Sequence, residues 1–332
     1  MFRHHLDEVM QCAACRFSST AYTDDDVAAA FRDGAEEWRR SLWNVSTRDL
    51  HRRPRPDMWS VLEYIRHCRQ VAKVWTLVMN EGLTRDLPVF NQSISHGTED
   101  TARTDRELDL ELRYLTTALQ DLATTWERAR TASNREVVVN SIHADLAGCA
   151  RHVAHELWHH ISDGAAVLEL LGQGVALQQG HIQYLHVSDG GVPKVSVVSA
   201  ETGYRGLAGD RQRFRKHHGR VTQAVSLWSS EVISSLQTEG HPVQPGWAGE
   251  NLTVTGLEWA SLRTGVRLAV GIDGPLLELT GWADPCKKIA DCFLDRDFRR
   301  IDASHPAEIR YYAKVLRDGT ITTGDSICIV PR

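Results

Sequence analysis

The 332-residue chain reads as an α + β protein of two domains, a four-helix bundle followed by a β-barrel. Three observations predict this. Up to about residue 174, apolar residues recur at helical four-three spacing. Beyond about Gly180, short β-branched runs alternate with Gly and Pro. The length suits two domains that each bury a core. The expected boundaries are residues 1–176 for the helical part and 180–332 for the barrel, the chain dividing near 174–181.

In chain order, Cys12 and Cys15 form a C-x-x-C with no second such pair to complete a zinc site, so the segment reads as a flexible lead-in. The first helix is expected to start near Asp24 to Asp26, whose acids suit a helix N-terminus, with Val27, Phe31, Trp38 and Leu42 as its apolar side. Pro54 and Pro56 break the chain before a second helix from Trp59. There Val61, Leu62, Ile65 and Ala72 form one face, and Tyr64, His67, Val71, Val74 and Val78 a second stripe, so this helix is buried on two sides with His67 in its second stripe. After a polar loop from about Asn91 to Thr104, Leu108, Leu112, Leu115, Leu119, Leu122 and Trp126 predict a long third helix. The fourth helix ends near Gly172 and Gly174.

That fourth helix carries four His and one Glu between His152 and His160. With about 100° per residue and Val153 as origin, Leu146, Leu157, Gly164 and Leu168 fall within about 60° and define the inward arc. Glu156 and His160 lie inside this arc, whereas His155 and His159 lie further round. An unpaired buried carboxylate is unfavourable, and a Glu–His hydrogen bond or a shared metal ion relieves it. Residues at i and i+4 of a helix can ligate one divalent ion, and His67 on a facing helix is a third candidate.

In the second half, strands are expected at 182–187, 195–198, 224–228, 266–270, 276–280 and 327–330, interrupted by short helices at 229–238 and 286–293. Cys286, in Ala-Asp-Pro-Cys-Lys-Lys, is the reactive candidate. A thiol at a helix start beside Lys287 and Lys288 sits where positive potential favours thiolate, although an ordinary half-buried Cys has the same local sequence. Cys68, Cys149, Cys292 and Cys328 read as core. Gly206 to Gln212, Lys216 to Arg220 and Pro245 to Thr253 are Gly-rich and partly basic. They fit either an anion cradle or tight barrel turns.

Two resemblances sharpen this. Trp59-Ser60, Glu63 and His67, followed by His155-Glu156-x-x-His159-His160-x-x-Asp163, resemble the DinB-like superfamily. The likeness implies a four-helix bundle with one metal on its inner surface, as in thiol-dependent S-transferases and isomerases. Carried over, the ligands are His67, Glu156 and His160. One branch of the family has a Glu at the middle position and others a His, so His155 with His159 is the alternative frame.

From Gly190-Gly191-Val192-Pro193-Lys194, through Gly209-Asp210-Arg211-Gln212, His218-Gly219, Ala224-Val225, Gly240-His241-Pro242, Gly249-Glu250-Asn251-Leu252-Thr253 and Pro285-Cys286, to Tyr312-Ala313-Lys314-Val315-Leu316, the second half is similar to the MOSC domain. That family is a β-barrel whose members bind the molybdenum cofactor or carry sulfur on the Cys matching Cys286. The likeness implies that Asp210, Arg211, His218, Glu250, Asn251 and Thr253 line a cofactor cleft. Arg220 stands where the family often has Gly, and would take over a phosphate contact or close the pocket. Gln223 stands where a basic residue is common.

Composition excludes other classes. The formal charge is -5 without a basic tract, which does not suggest nucleic acid as a partner. No apolar run reaches membrane length. The N-terminal stretch with Arg3, His4, His5, Asp7 and Glu8 lacks the apolar centre of a signal peptide, and seven Cys without framework spacing point to a reducing, cytoplasmic setting. The expected function is a sulfur-handling enzyme. A divalent ion (zinc or nickel) in the bundle activates a low-molecular-weight thiol or thiol conjugate as cosubstrate, and Cys286 accepts or passes on sulfur, with a sulfur donor protein as a further partner. The alternatives are a molybdenum-cofactor reductase of N-hydroxylated compounds and a non-catalytic carrier of metal, cofactor or persulfide.

Overall fold

The computed structural model describes residues 10–43, 45–91, 107–132, 134–211 and 219–332. The expectations placed on His218, on 212–217, on the first nine residues and on most of the loop after Asn91 lie outside them. The chain forms two compact units, one ending at Gly174 and the other beginning at Val175.

The first unit opens with a hairpin, β1 (Gln11–Cys12) and β2 (Phe17–Ser18), in which Cys12 faces Phe17. Phe17 is buried, so this segment is not a flexible lead-in. Helix α1 (Asp24–Ser41) begins at a capping box, Thr23 Oγ1 accepting from Asp26 N and the Asp26 carboxylate accepting from Thr23 N. A short α2 (Thr47–His51) precedes α3 (Val61–Thr84). Ser60 and Glu63 form a second capping box, and Arg53 holds the Glu63 carboxylate. The Trp59-Ser60-x-x-Glu63 pattern is therefore a helix start, with the Glu side chain committed to the backbone.

Strand β3 (Val89–Phe90), helix α4 (Glu107–Ala129) and the hairpin β4 (Glu136–Val139) and β5 (Ile142–Asp145) lead to α5 (Leu146–Leu168). The hairpin turns on Asn140 and Ser141, both at positive φ, as two-residue turns require. Asp145 caps α5 by accepting from Gly148 N. Helix α3 packs against α4 and α5, and α1 packs against the same two, which closes a four-helix bundle around Trp38, Leu62, Ile65, Leu115, Leu119, Trp126 and Leu157. Helix α5 ends in a widened turn at 169–173 with Gly172 at φ +80°.

The second unit comprises β6 (Gln179–Val187), β7 (Val195–Val197), β8 (Ser199–Gly203), β9 (Gly206–Leu207), β10 (Val225–Ser229), α6 (Ser230–Thr238), β11 (Leu252–Thr255), β12 (Arg267–Val270), β13 (Leu276–Ala283), β14 (Arg310–Arg317), β15 (Gly319–Thr322) and β16 (Ser326–Val330). Seven strands run β11-β10-β14-β13-β12-β16-β6, and β6 pairs back onto β11 with Leu185 opposite Leu252, closing a barrel. Strand β7 adds to β6 outside the ring, and β15, β8 and β9 form a small second sheet. Val225, Leu227, Leu252, Leu268, Leu277 and Ile327 fill the interior.

The α + β fold class, helices first and barrel second, is the one expected. In the second unit, strands β8, β9, β11, β14 and β15 are additional. The helix expected over 286–293 is a 3-10 helix at Lys287–Cys292, and Cys286 stands at its N-cap. So short a helix supplies little dipole, which leaves side-chain charge as the electrostatic influence on that thiol. No described helix is long and apolar enough to cross a membrane.

Candidate metal centre and thiol pocket

His67 on α3 and Glu156 and His160 on α5 meet inside the bundle. Each offers a ligand atom within 4.8 Å of the others. His67 Nε2 lies 3.4 Å, and His160 Nε2 3.1 Å, from the same oxygen, Glu156 Oε2. His160 Nδ1 is 2.8 Å from Asp163 Oδ2. A neutral imidazole has one N–H, yet His160 has a carboxylate oxygen at each nitrogen. The arrangement calls for a positive charge, either a second proton on the ring or a cation between Nε2 and Glu156.

The electrostatics agree. Burial opposes charge on His160, but Asp163 and Glu156 outweigh it and raise its pKa to about 9. Burial would likewise raise Glu156, yet hydrogen bonds with His160 and His67 hold its carboxyl well below the usual carboxylate range. Two imidazole nitrogens and one carboxylate oxygen suit a divalent ion such as zinc or nickel, and three protein ligands would leave a coordination position unfilled. Asp163 would fix the ring tautomer.

Aromatic rings wall this site. Trp59 stands 5.0 Å from the His67 ring, and Tyr64 5.1 Å from the His160 ring. Burial, with Asp163 and Glu63 nearby, pushes the Tyr64 hydroxyl up to about 12, so it stays protonated and can donate. The sequence reading placed Tyr64 in a stripe without giving it this position. For Asp163 the signal in the sequence is its place at i+3 from His160.

The alternative pair touches this site at its edge, His155 Nδ1 standing 3.9 Å from Glu156 Oε1 and His159 Nε2 3.5 Å from Asp163 Oδ2. His155 and His159 turn away from His67 and face Cys12 and Cys15. Burial lowers His155 to about 4, which keeps it neutral.

In the barrel, Cys286 lines a cavity together with Lys194, Arg211, Lys288, Arg310 and Tyr312. Arg310 is buried. Its guanidinium donates to the carbonyls of Ala248 and Ala283, and its Nε has no hydrogen-bond partner among the described residues. The cavity thus sets one thiol among four cationic side chains, Lys194 already paired with Asp210, and one carboxylate, Asp284; the net positive lining suits an anionic group.

Of the residues assigned to a cofactor cleft, Arg211 lines this cavity. Asp210 accepts from Ser188 N at 2.8 Å, Lys194 Nζ at 2.7 Å and Asn251 Nδ2 at 2.9 Å. Asn251 also bonds Ser226 and the His186 carbonyl. Glu250 is wholly buried and accepts from Gly246 N and Thr253 Oγ1; burial pushes its carboxyl up. Thr253 Oγ1 meets His186 Nε2 at 3.1 Å. These four side chains knit β6, β10 and β11 together. Arg220 is buried near Tyr312. Cys292 is buried, and its thiol is pushed up to about 11, leaving Cys286 as the thiol on the cavity.

Comparison with known proteins follows the same division. The model of the DinB superfamily matches residues 30–163, and that of the MOSC domain matches residues 215–328. The chain joins a DinB-superfamily bundle to a MOSC domain. Among solved structures, YfiT from Bacillus subtilis, described as a probable metal-dependent hydrolase with an unusual four-helix bundle topology, is 10% identical. That match covers 50% of this chain and 98% of YfiT, at a TM-score of 0.41. The YUAD protein from Bacillus subtilis is 19% identical over 47% of this chain and 99% of its own, at 0.37. YiiM from Geobacillus stearothermophilus is 22% identical over 46% and 76%, also at 0.37. No curated protein matches the chain.

Proposed function

We propose that this DinB–MOSC chain is a sulfur-handling enzyme. Its bundle holds zinc or nickel on His67, Glu156 and His160 to present a small thiol as thiolate, and its barrel carries sulfur on Cys286. The observation that carries this reading is the meeting of two imidazole Nε2 atoms, of His67 and His160, on one carboxylate oxygen of Glu156, while the His160 ring already has the Asp163 carboxylate behind it. A divalent ion there would supply Lewis acidity that lowers the pKa of a thiol. Three protein ligands leave a position for that thiol. Trp59 and Tyr64 exclude water from it, and the Tyr64 hydroxyl donates a hydrogen bond to a neighbouring anion.

In the barrel, Lys288 and Arg310 attract an anionic sulfur compound to Cys286. The Cys286 thiolate attacks the outer sulfur of a persulfide, from a small molecule or a donor protein. A new S–S bond forms, the donor's S–S bond breaks, and the donor leaves as thiolate without any external oxidant. A second reading draws on the unpartnered Arg310 Nε. Cys286, Arg211, Lys288 and Arg310 would hold an anionic molybdenum cofactor, whose metal centre supplies two-electron chemistry.

Elemental analysis and thiol-dependent turnover of the full chain test the proposal. Zinc or nickel alone, with turnover of thiol conjugates only on adding a small thiol, supports it. His160→Ala should abolish that turnover while leaving Cys286 open to labelling, and Cys286→Ser should abolish persulfide formation. Molybdenum with a fluorescent pterin after oxidation would favour the reductase. A Cys286 persulfide without turnover of any conjugate would favour a carrier. Failure of the bundle to hold either ion would overturn the metal reading.

A further inference from the structure

We infer that the bundle carries a second metal site of a different kind, a closed Cys2His2 zinc centre formed by Cys12, Cys15, His155 and His159. It shares no ligand with the His67, Glu156 and His160 site and does not rest on that site's function. One sulfur or ring nitrogen from each of the four residues lies within 4.8 Å of the others. Cys12 Sγ and His159 Nδ1 are 3.5 Å apart. With Zn–S near about 2.3 Å and Zn–N near about 2.0 Å, tetrahedral ligand atoms stand roughly 3.3–3.8 Å apart, so closing round an ion needs shifts of about 1 Å or less.

A second, independent observation points to a ligand. Both ring nitrogens of His155 are buried and without a hydrogen-bond partner among the described residues; the Glu156 carboxylate stands 3.9 Å from Nδ1, beyond hydrogen-bond reach. A buried imidazole with neither nitrogen engaged is unfavourable, and an ion on one of them relieves this. The surroundings hold the rings in ligating positions. Phe17 stacks on His155 with centroids 4.6 Å apart and planes at 25°. Asp163 Oδ2 stands 3.5 Å from His159 Nε2, which leaves Nδ1 toward the sulfur. The hairpin completes the cage. Its turn runs from Cys12 to Phe17 and closes with Arg16 at φ +60°, a left-handed conformation that is strained for Arg.

The ligand chemistry selects the ion. Two thiolates and two imidazoles, with no carboxylate oxygen among the four, form a borderline-soft tetrahedral set, which favours zinc and excludes calcium or magnesium. Four protein ligands leave no position for substrate, so the site is structural. It ties β1 and β2 to the helix that carries Glu156 and His160.

The test uses the full chain loaded with Co2+ or Zn2+. Cobalt should give a sulfur-to-cobalt charge-transfer band and intense tetrahedral ligand-field bands. Both should persist in Glu156→Gln, which removes only the other site, and vanish in the double variant Cys12→Ser/Cys15→Ser. The zinc content of the double variant should fall by one ion per chain. Should that variant fail to fold, alkylation mapping of the parent chain decides. Zinc should shield Cys12 and Cys15, and a chelator should expose them together. Absence of the sulfur-to-cobalt band in the parent, equal alkylation with and without zinc, or recovery of Cys12–Cys15 as a disulfide would overturn the inference.

Discussion

Replacing Asp163 tests the metal geometry without touching a ligand. Its carboxylate lies 2.8 Å from His160 Nδ1 and 3.5 Å from His159 Nε2, so it backs one ring of each site. Removing such a partner costs about 10- to 100-fold in metal affinity, or roughly 1.4–2.7 kcal/mol. At His160 the upper part of that range is expected for Asp163→Ala, because Glu156 sits on the opposite nitrogen and Asp163 alone fixes which one carries the proton. Asp163→Asn keeps an acceptor and loses the charge. Charge-assisted hydrogen bonds are about twice as strong as neutral ones, so a loss nearer about tenfold is expected. The contact to His159 is longer and the thiolates dominate that site, so a few-fold loss is expected there. Competition titration against a chromophoric chelator at fixed pH and ionic strength measures both, and the sulfur-to-cobalt band separates the sites. Affinity of Asp163→Ala within about twofold of the parent, or loss in Asp163→Asn as complete as in His160→Ala, would refute the assignment of His160 Nε2 as the ligating atom.

Other perturbations probe the scaffold. An added Cβ at Gly164 on α5 would stand 2.8 Å and 2.9 Å from ring carbons of Trp38, which is fully buried. Overpacking costs about 1–3 kcal/mol against about 1 kcal/mol gained in helix propensity, so Gly164→Ala should lower the melting temperature by a few degrees; an increase would show that Trp38 moves aside easily. His186 has no exposed surface and bonds Thr253 and Ser196, and burial, with Lys194 adding to it, lowers its pKa to about 4. A depressed His pKa means that the unfolded chain binds the extra proton. Stability should therefore fall as pH drops from about 6.5 to about 4, by up to about 3 kcal/mol. Denaturant unfolding of the parent and of His186→Gln checks this, and equal acid slopes would rule it out.

The bundle was legible because its helices are periodic on the scale of the chain. Val27, Phe31 and Trp38, or Leu112, Leu115 and Leu119, lie on the faces that the four-three spacing assigns, and all are buried. The same arithmetic turned Glu156 and His160 toward His67. Short-range signals were weaker guides. Strand β14 carries Arg310 and Lys314 at buried positions, where Lys314 Nζ reaches Glu278 at 2.8 Å, so its hydrophobic alternation is broken by charges that find partners only in the folded barrel. The resemblance to the MOSC domain implies that Asp210, Glu250 and Asn251 line a cofactor cleft. Their partners are Lys194, Gly246 and Ser226, from other parts of the barrel, and no local pattern reveals them. Cys12 and Cys15 had no second half within reach in the sequence, because His155 and His159 come more than a hundred residues later.

Helix α5 shows how two candidate ligand sets can share one element. The pairs 155/159 and 156/160 are each one turn apart and offset by a single residue, hence by about 100° around the axis. Each pair presents its own edge, one toward β1 and β2, the other toward α3. The donors then sort the ions. The inner edge offers a carboxylate and imidazoles, and three ligands would leave a coordination position open; the outer edge meets Cys12 and Cys15, and four ligands would close it. Because the ligands alternate along one rigid backbone, an ion at the outer edge fixes the rotation of α5 and with it the direction of Glu156 and His160. Removing the outer ion should therefore weaken binding at the inner site even though no ligand is shared. Equal inner-site affinity in the parent and in a folded Cys12→Ser/Cys15→Ser chain would mean that helix packing alone sets that rotation.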